Sequence, residues 1–191
     1  MIQFFNEKIE LTRYTKENID YKNTYTYNEY KLLADIQKYN DKGELEAKTS
    51  YKYNESGQMT DESYYENENL KRKTKNTYDV SGNLASVMKY KGSGKLIDKV
   101  TYKYNHNKSV TEIATFDSDQ DPSGKTIFTY KKNGQLTQID IYGKEENLIG
   151  TWKMQYFPNG LLRQDLYLNK IEEPERVIYY KYDPEQIFIE H

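Results

Sequence analysis

Apolar and polar positions along this chain follow a pattern that returns about every 26 residues. Seven tyrosines mark it, at successive intervals of 26, 25, 26, 26, 26 and 26 residues. We refer to them as the marker tyrosines: Tyr27, Tyr53, Tyr78, Tyr104, Tyr130, Tyr156 and Tyr182. A fixed period of this length is typical of architectures that stack copies of one small unit.

Each marker tyrosine ends a short segment in which apolar and polar residues alternate. In the first copy, the polar Thr26 stands between Tyr25 and Tyr27, and an aromatic residue occupies the position of Tyr25 in most other copies. This period of two is that of a β-strand with one packed face. The sequence therefore predicts that each marker closes a strand. It also predicts that the markers form a structural ladder, with their rings in register across successive hairpins.

Turn-forming residues follow the strand. In the second copy, Asn54 comes directly after the marker, Gly57 follows three residues later, and Met59 restarts an apolar segment. Asn and Asp side chains bond back to nearby backbone, and Gly adopts positive φ, so this segment is a predicted turn. A second turn lies half a period further on, for example around Gly43 after Tyr39.

Each repeat is therefore predicted to be strand–turn–strand–turn, built from two half-repeats of about 13 residues. This predicts an all-β fold, an elongated array of consecutive antiparallel β-hairpins (a meander or solenoid-like arrangement) with about 13–14 strands. We expect a single domain over residues 1–191. An irregular N-terminal cap and half repeat would occupy 1–23, the repeats 24–182, and a C-terminal cap 183–191.

Two further expectations concern the ends and the faces of the array. The pattern predicts end strands over 8–15, 177–182 and 187–189. Apolar residues nine or eleven positions after a marker, such as Ile36 and Ile139, predict that the second face of the sheet is also partly apolar. That favours a sheet that wraps onto itself or is covered.

Composition narrows the classes of function. The chain has a net charge of −2 with 30% charged residues, so no single-sign field would attract nucleic acid, and we expect no nucleic-acid partner. The absence of Cys excludes disulfide and thiolate chemistry. No apolar run approaches the length of a transmembrane helix. Because the first residues lack a secretory signal pattern, we expect a cytoplasmic protein, or a cell-envelope or extracellular one whose leader was removed.

Several segments resemble known repeats. Residues 53–59 (Tyr-Asn-Glu-Ser-Gly-Gln-Met) and 78–84 (Tyr-Asp-Val-Ser-Gly-Asn-Leu) are similar to the tyrosine–aspartate (YD, or Rhs-type) repeat. Residues 150–162 resemble the MORN-like repeat of the YwqK antitoxin type. The chain departs from these patterns because Asn replaces Asp at residues 28, 54 and 105, the period is longer, and Lys31 and Lys108 occupy the Gly position.

The resemblance implies a bacterial array of hairpins with no enzymatic activity of its own and no cofactor. Cell-envelope or secreted proteins are common in the first family, and toxin-neutralising proteins in the second. We therefore favour a non-catalytic binding or structural module that offers a sheet face to a protein or polysaccharide. The alternative is a cytoplasmic immunity or antitoxin protein that neutralises a toxin by direct binding. An enzymatic hypothesis lacks a visible activated nucleophile or complete metal site in the sequence.

One acidic cluster is a candidate metal site. Asp117, Asp119 and Asp121 alternate with other residues, as at the start of a calcium-binding loop. However, Gly124 falls at the eighth place of such a loop and Phe128 at the twelfth, where a bidentate Glu is needed. The other interpretation, which we favour, is an acidic hairpin turn.

Four remaining features have both a functional and a structural interpretation. His106 fits a solvated turn better than a base or ligand, because neither His nor Cys lies near it in sequence. Trp152, the only Trp, fits packing among strands better than ligand stacking. Residues 92–95 (Gly-Ser-Gly-Lys) resemble a phosphate loop but lack a following helix. Residues 71–73 (Lys-Arg-Lys) are expected to cover a strand edge or solvated face.

Overall fold

The computed structural model describes residues 8–14 and 19–182, with side chains from residue 22 onward. These residues form fourteen β-strands and one short 3₁₀ turn. Each strand is hydrogen bonded to the next in sequence order, from β1 to β14. This confirms the predicted all-β array of consecutive antiparallel hairpins and its number of strands.

Contacts within the chain define two compact units. Unit 1 comprises residues 1–100 and 117–120, and unit 2 comprises 101–116 and 121–191. That residues 1–191 form a single domain with a cap at each end stays a prediction.

Unit 1 contains seven complete strands, and each one pairs antiparallel with the next. They are β1 (Lys8–Tyr14), β2 (Ile19–Tyr27), β3 (Leu33–Tyr39), β4 (Leu45–Tyr53), β5 (Met59–Glu66), β6 (Asn69–Tyr78) and β7 (Leu84–Lys91). Strand β8 (Leu96–Tyr104) has residues in both units.

Unit 2 contains six complete strands, which also pair antiparallel in order. They are β9 (Val110–Phe116), β10 (Pro122–Tyr130), β11 (Leu136–Tyr142), β12 (Leu148–Tyr156), β13 (Leu162–Asn169) and β14 (Pro174–Tyr179). The 3₁₀ turn, Lys144–Glu146, joins β11 to β12.

The predictions for the ends of the array had different outcomes. Strand β1 (Lys8–Tyr14) confirms the predicted strand over 8–15. The predicted strand over 177–182 is wrong in its bounds, because β14 spans Pro174–Tyr179. The repeat itself explains the shift. Leu168 closes the previous half-repeat, and Pro174 follows six residues later, at the position where other copies have an apolar residue that begins a strand. The predicted strand over 187–189 lies outside the described residues.

The turns owe their geometry to the Asn or Asp that follows the last strand residue. The Asn54 side-chain oxygen accepts hydrogen bonds from the backbone N–H groups of Ser56 and Gln58, at 3.1 and 2.9 Å. Gly57 then takes φ 76° and donates its N–H to the Asn54 carbonyl at 2.9 Å. The same pair of side-chain bonds recurs at Asn28, Asn40, Asp79, Asn105 and Asn169. The repeat therefore specifies its turns locally, as predicted.

Three of these turns are built without glycine. Lys31, Lys108 and Glu172 occupy the Gly position and take φ 60°, 61° and 62°. A left-handed conformation costs a residue with a Cβ about 1–2 kcal/mol. The side-chain bonds from Asn28 and Asn105 hold the turn in this conformation despite that cost.

The marker tyrosines connect one repeat to the next through their hydroxyl groups. The Tyr53 hydroxyl donates a hydrogen bond of 2.8 Å to the carbonyl of Leu33, the first residue of the adjacent strand. Four other markers make the equivalent bond at 2.7–2.8 Å: Tyr78 to Met59, Tyr130 to Val110, Tyr156 to Leu136, and Tyr182 to Leu162. These hydroxyl-to-carbonyl bonds hold each tyrosine at a fixed distance from the previous repeat. That the marker rings form a ladder, in register with one another, stays a prediction.

The single interval of 25 residues has a local cause in the turn between β5 and β6. Asn67 and Glu68 form a two-residue turn with φ 46° and 64°, whereas the other described turns are longer. Positive φ at both central residues identifies a type I′ hairpin turn. Removing one residue here shortens the interval from Tyr53 to Tyr78 without breaking the hydroxyl bond of Tyr78 to Met59.

Few described side chains are fully buried. Leu168 is the buried apolar residue among them, and the buried polar residues are Thr24, Ser86 and Thr151. Most strand residues on both faces are half-buried. Cross-strand pairs of neighbouring side chains are therefore the main packing unit of this fold.

Candidate binding surface

A row of large side chains crosses five strands of unit 2. Phe128 pairs with Ile139, Ile139 with Trp152, Trp152 with Tyr167, and Tyr167 with Arg176. Residues directly opposite each other on antiparallel strands lie on the same face. We refer to these five residues as the aromatic row.

The centre of the aromatic row is tightly packed. The rings of Trp152 and Tyr167 have centroids 5.1 Å apart and are tilted by 43°. The Arg176 guanidinium lies 5.7 Å from the Trp152 ring centroid, within cation–π range. The Tyr167 ring also covers Gly150, where an added Cβ would stand 2.6 Å from a ring carbon. Glycine at this position lets the ring lie flat against the sheet.

Unit 1 carries a corresponding row four repeats earlier in sequence. Tyr25 pairs with Ile36, Ile36 with Thr49, Thr49 with Tyr64, and Tyr64 with Arg72. The Arg72 guanidinium lies 4.9 Å from the Tyr64 ring centroid, so the cation–π contact is also repeated. The central residue differs, because Thr49 stands where unit 2 has Trp152. Unit 1 is therefore an internal control for what the tryptophan adds.

These rows correct the residues predicted for the second, partly apolar face. Ile36 and Ile139 lie on the same face as the aromatic residues Tyr25 and Phe128, because they are their direct partners. The reason is a register shift between Thr26 and Tyr27, and its counterpart next to Tyr130, which moves the pairing by one residue. A shift of one residue moves a side chain to the other face. The second face is nevertheless partly apolar, because Leu166 and Leu168 lie on it, opposite Lys153 and Thr151.

The opposite face is held by hydrogen bonds between polar side chains. In unit 1, the Asp35 carboxylate accepts hydrogen bonds from Ser50 at 2.6 Å and Thr26 at 3.4 Å, and the Lys48 ammonium lies 3.1 Å from it. In unit 2, the buried Thr151 donates to Asp140 at 2.7 Å. Asp35, Asp140 and Thr151 therefore have hydrogen-bond partners. Elsewhere in the described part of the chain, Asp98 Oδ1 and Asp165 Oδ1 are buried without one.

A cleft of about 540 Å³ opens on the polar face of unit 2. Strand β9 forms its floor with Ala114 and Phe116, and the 3₁₀ turn Lys144–Glu146 forms one wall. Lys125 on β10 reaches that turn and pairs with Glu146 at 2.8 Å. A second pair, Lys103 with Glu112 at 2.9 Å, also lines the cleft.

The wall of this cleft departs from the usual turn geometry. Glu145 and Glu146 take φ 61° and 58°, so two successive residues with side chains are left-handed. A hydrogen bond from Lys125, aided by its charge, lowers the pKa of Glu146, and the same contact raises the pKa of Lys125. Ion pairing thus holds the turn against β10, and it neutralises two of the cleft's charges.

The structure places the candidate metal ligands at the turn between β9 and β10. Asp117 accepts a hydrogen bond from the backbone N–H of Asp119 at 3.0 Å, as Asn54 does in its own turn. Asp121 lines the cleft described above. Within 8–14 and 19–182, no group of three or more His, Cys, Asp or Glu side chains is close enough together to hold a metal ion.

The other candidates also fall at turns or strands. His106 is exposed at the turn between β8 and β9. Residues 92–95 form the turn between β7 and β8, where Gly94 takes φ 85°. The basic run 71–73 lies on β6, which pairs with both β5 and β7, so its predicted position at a strand edge is wrong. Lys71 and Arg72 are exposed, in line with a solvated face.

The marker tyrosines give folding stability a dependence on alkaline pH. Burial raises the pKa of Tyr53, Tyr130 and Tyr156 above the ordinary value of 10.0. A pKa that is higher in the folded than in the unfolded state gives stability that is complete below pH 10 and is lost as pH rises through the folded-state pKa. We expect the thermal midpoint to fall from above about pH 10, together with the rise of tyrosinate absorbance. A midpoint unchanged while most tyrosines ionise would contradict this.

Comparison with known proteins gives similarity in fold alone. No protein-family model matches the chain. No curated protein matches it either.

Among residues 8–14 and 19–182, no helix is both long and apolar enough to cross a bilayer.

Solved structures share the architecture. The crystal structure of TcdB2-TccC3-TEV matches with a TM-score of 0.57 at 14% identity, over 90% of this chain and 11% of that one. The crystal structure of TcdB2-TccC3 without its hypervariable C-terminal region matches with a TM-score of 0.49 at 15% identity, over 92% of this chain and 12% of that one. This chain thus spans about a ninth of the length of those chains. The first match suggests a fold like that of YD (Rhs-type) repeats.

Proposed function

We propose that this chain is a non-catalytic binding module at the cell envelope that docks a protein partner on the aromatic row of unit 2. The single observation that carries the proposal is the continuous row from Phe128 to Arg176 on one face of the sheet. Its members are half-buried except for Arg176, which is exposed, so their outer surfaces are open to a partner.

The composition of the row favours a protein over other ligands. Trp, Tyr, Phe and Arg are enriched at the centres of protein–protein interfaces, where they contribute much of the binding energy. Contact with Tyr167 and Arg176 orients the Trp152 ring before a partner arrives, so less side-chain entropy is lost on binding. Unit 1 has the same scaffold with Thr49 at the centre and is expected to bind the partner weakly or not at all.

The fold supports a binding or structural role more readily than catalysis. Repeated hairpins present similar side chains at regular spacing, whereas catalysis needs a group of unlike residues held in one place. A polysaccharide is the other partner class that the sequence indicates. The second candidate function, a cytoplasmic immunity protein that binds a toxin directly, uses the same row, and cell fractionation of the native protein separates it from an envelope role.

The test compares Trp152→Ala with Tyr64→Ala, the variant of a matching ring in unit 1. Partners cross-linked to the native protein in cells would be identified by mass spectrometry, and their affinity measured with purified components. We expect Trp152→Ala to weaken binding by about thirtyfold, which is typical of a central interface residue, and Tyr64→Ala to leave it within about twofold. Equal binding by the two variants, both shown to be folded by circular dichroism, would refute the assignment of the row.

A further inference from the structure

The last described strand, β14, lacks the following neighbour that the earlier strands have. Among the described residues it pairs with β13 alone. Val177 on β14 is 41% exposed, whereas Thr151, which stands 26 residues earlier on β12, is only 7% exposed because strands flank it on both sides. Other large apolar side chains near this end of the sheet are also exposed: Ile171, Tyr179 and Tyr182.

Strand β14 also stops short of its marker tyrosine. In β12, residues 154–156 pair with the following strand β13 and not with the preceding strand β11. Residues 128–130 of β10 likewise pair with β11 and not with β9. The corresponding residues of the last repeat are 180–182, and β14 ends just before them, at Tyr179. A strand added at this edge would therefore extend β14 to its marker.

The strand at the other end of the array, β1, is of the kind that follows a strand ending at a marker. Strands β1 and β3 both have seven residues. Tyr14 pairs with Ile19 next to a register shift, as Tyr39 pairs with Leu45. Strand β1 thus corresponds to β3, but in the described part of the chain it has no counterpart of β2 before it. The two end strands are therefore complementary.

We propose that β14 of one copy pairs antiparallel with β1 of a second copy of this chain, so that copies associate head to tail. The backbone N–H and C=O groups along a strand edge are a template for pairing with another strand. The contact is heterologous, because different surfaces of the two copies meet, and each copy can hold a neighbour at each end. The proposal uses the edge of the sheet and does not rest on partner binding at the aromatic row.

Charge favours β1 as the strand that pairs with β14. Applying the register of β12 and β13 to this contact places Lys181 opposite Glu10 of the second copy. Lys103 and Glu112 occupy the equivalent positions of an internal repeat, and they form an ion pair of 2.9 Å. A lysine at a strand edge discourages pairing with an apolar or basic strand. Glu10 on the incoming strand offsets that effect.

The same register brings apolar residues together. It places Tyr180 opposite Leu11 of the second copy, as Phe128 lies opposite Ile139 inside the chain. Aromatic–aliphatic pairs of this kind stabilise antiparallel strands. The added strand also covers Val177, which would gain a neighbour on each side, as Thr151 has in β12.

Sedimentation velocity of the full chain over a range of concentrations tests the association. We expect the average sedimentation coefficient to rise with concentration. Lys181→Glu and Glu10→Lys each place like charges opposite one another, so each should weaken self-association about tenfold. The double variant Lys181→Glu/Glu10→Lys restores opposite charges and should return to within about twofold of wild type. The matched control, Lys132→Glu, reverses the charge of an exposed turn residue and should also stay within about twofold.

Cysteine cross-linking tests which strands meet, because the chain has no Cys of its own. Residues directly opposite each other on antiparallel strands lie within the reach of a disulfide. Mild oxidation of Lys181→Cys copies mixed with Glu10→Cys copies should therefore give a linked dimer. The register control replaces the second variant by Arg13→Cys, three residues further along β1, and should give little dimer.

Two results would overturn the proposal. One is a wild-type chain that stays monomeric at every concentration. The other is linkage of Lys181→Cys copies to one another as readily as to Glu10→Cys copies, which would mean that two β14 edges meet. Neither result affects partner binding through Trp152, which tests the proposed function.

Discussion

Replacing four marker tyrosines by phenylalanine is expected to lower the free energy of unfolding by about 4 kcal/mol, because each loses one hydroxyl-to-carbonyl hydrogen bond worth about 1 kcal/mol. The four are Tyr53, Tyr78, Tyr130 and Tyr156, whose bonds measure 2.7–2.8 Å. Because the four bonds share no residue, we expect their effects to add. Since whole domains are stable by only about 5–15 kcal/mol, urea denaturation should show the loss clearly.

The matched control removes four hydroxyls that accept and donate no hydrogen bond with described residues. Tyr25, Tyr51, Tyr65 and Tyr102 are also strand tyrosines, so their replacement by phenylalanine changes composition equally. We expect the control to change stability by less than about 1 kcal/mol in total. Equal losses in the two variants would show that the marker hydroxyls do not connect the repeats.

The second large effect is expected for Gly92→Ala, which should destabilise unit 1 by about 3 kcal/mol. Gly92 donates its N–H to the Lys71 carbonyl at 2.8 Å. This contact lies next to the place where β6 has one extra residue and its pairing with β5 shifts by one. A Cβ at Gly92 would overlap the carbonyl oxygen of Leu70 and stand 2.6 Å from its carbon. Because the obstacle is backbone, no side-chain rotation relieves the overlap, and the turn must move away from β6.

Gly94→Ala, in the same turn, is the control for this prediction. Gly94 has φ 85°, and nothing lies within 4 Å of its added Cβ. The substitution should therefore cost only the left-handed conformation, about 1 kcal/mol. A loss at Gly92 no greater than at Gly94, measured by urea denaturation, would contradict the close approach of the two backbones.

Local chemistry explains why the turns and the strand order could be predicted from sequence. Asn54 and Gly57 determine the turn between β4 and β5 through contacts within five residues, and hairpins joined by short turns give antiparallel neighbours. Even Lys31, which departs from the Gly pattern, has the predicted conformation because Asn28 still caps the turn.

Features that depend on register were not predictable in the same way. The shift at Thr26 and Tyr27 places Ile36 opposite Tyr25, but no residue in the sequence marks that shift. For this reason the sequence indicates Trp152 as a packing residue but does not predict the aromatic row. The net charge of −2 likewise does not reveal the local excess of basic residues in 69–95.

The most direct test of the register is nuclear magnetic resonance of the isotope-labelled chain. The account predicts interstrand nuclear Overhauser contacts between backbone protons of Ile139 and Trp152 and of Trp152 and Tyr167, with the matching pair Thr49 and Tyr64 in unit 1. Contacts displaced by one residue would put Trp152 on the opposite face from Phe128 and would contradict both the aromatic row and the function proposed from it.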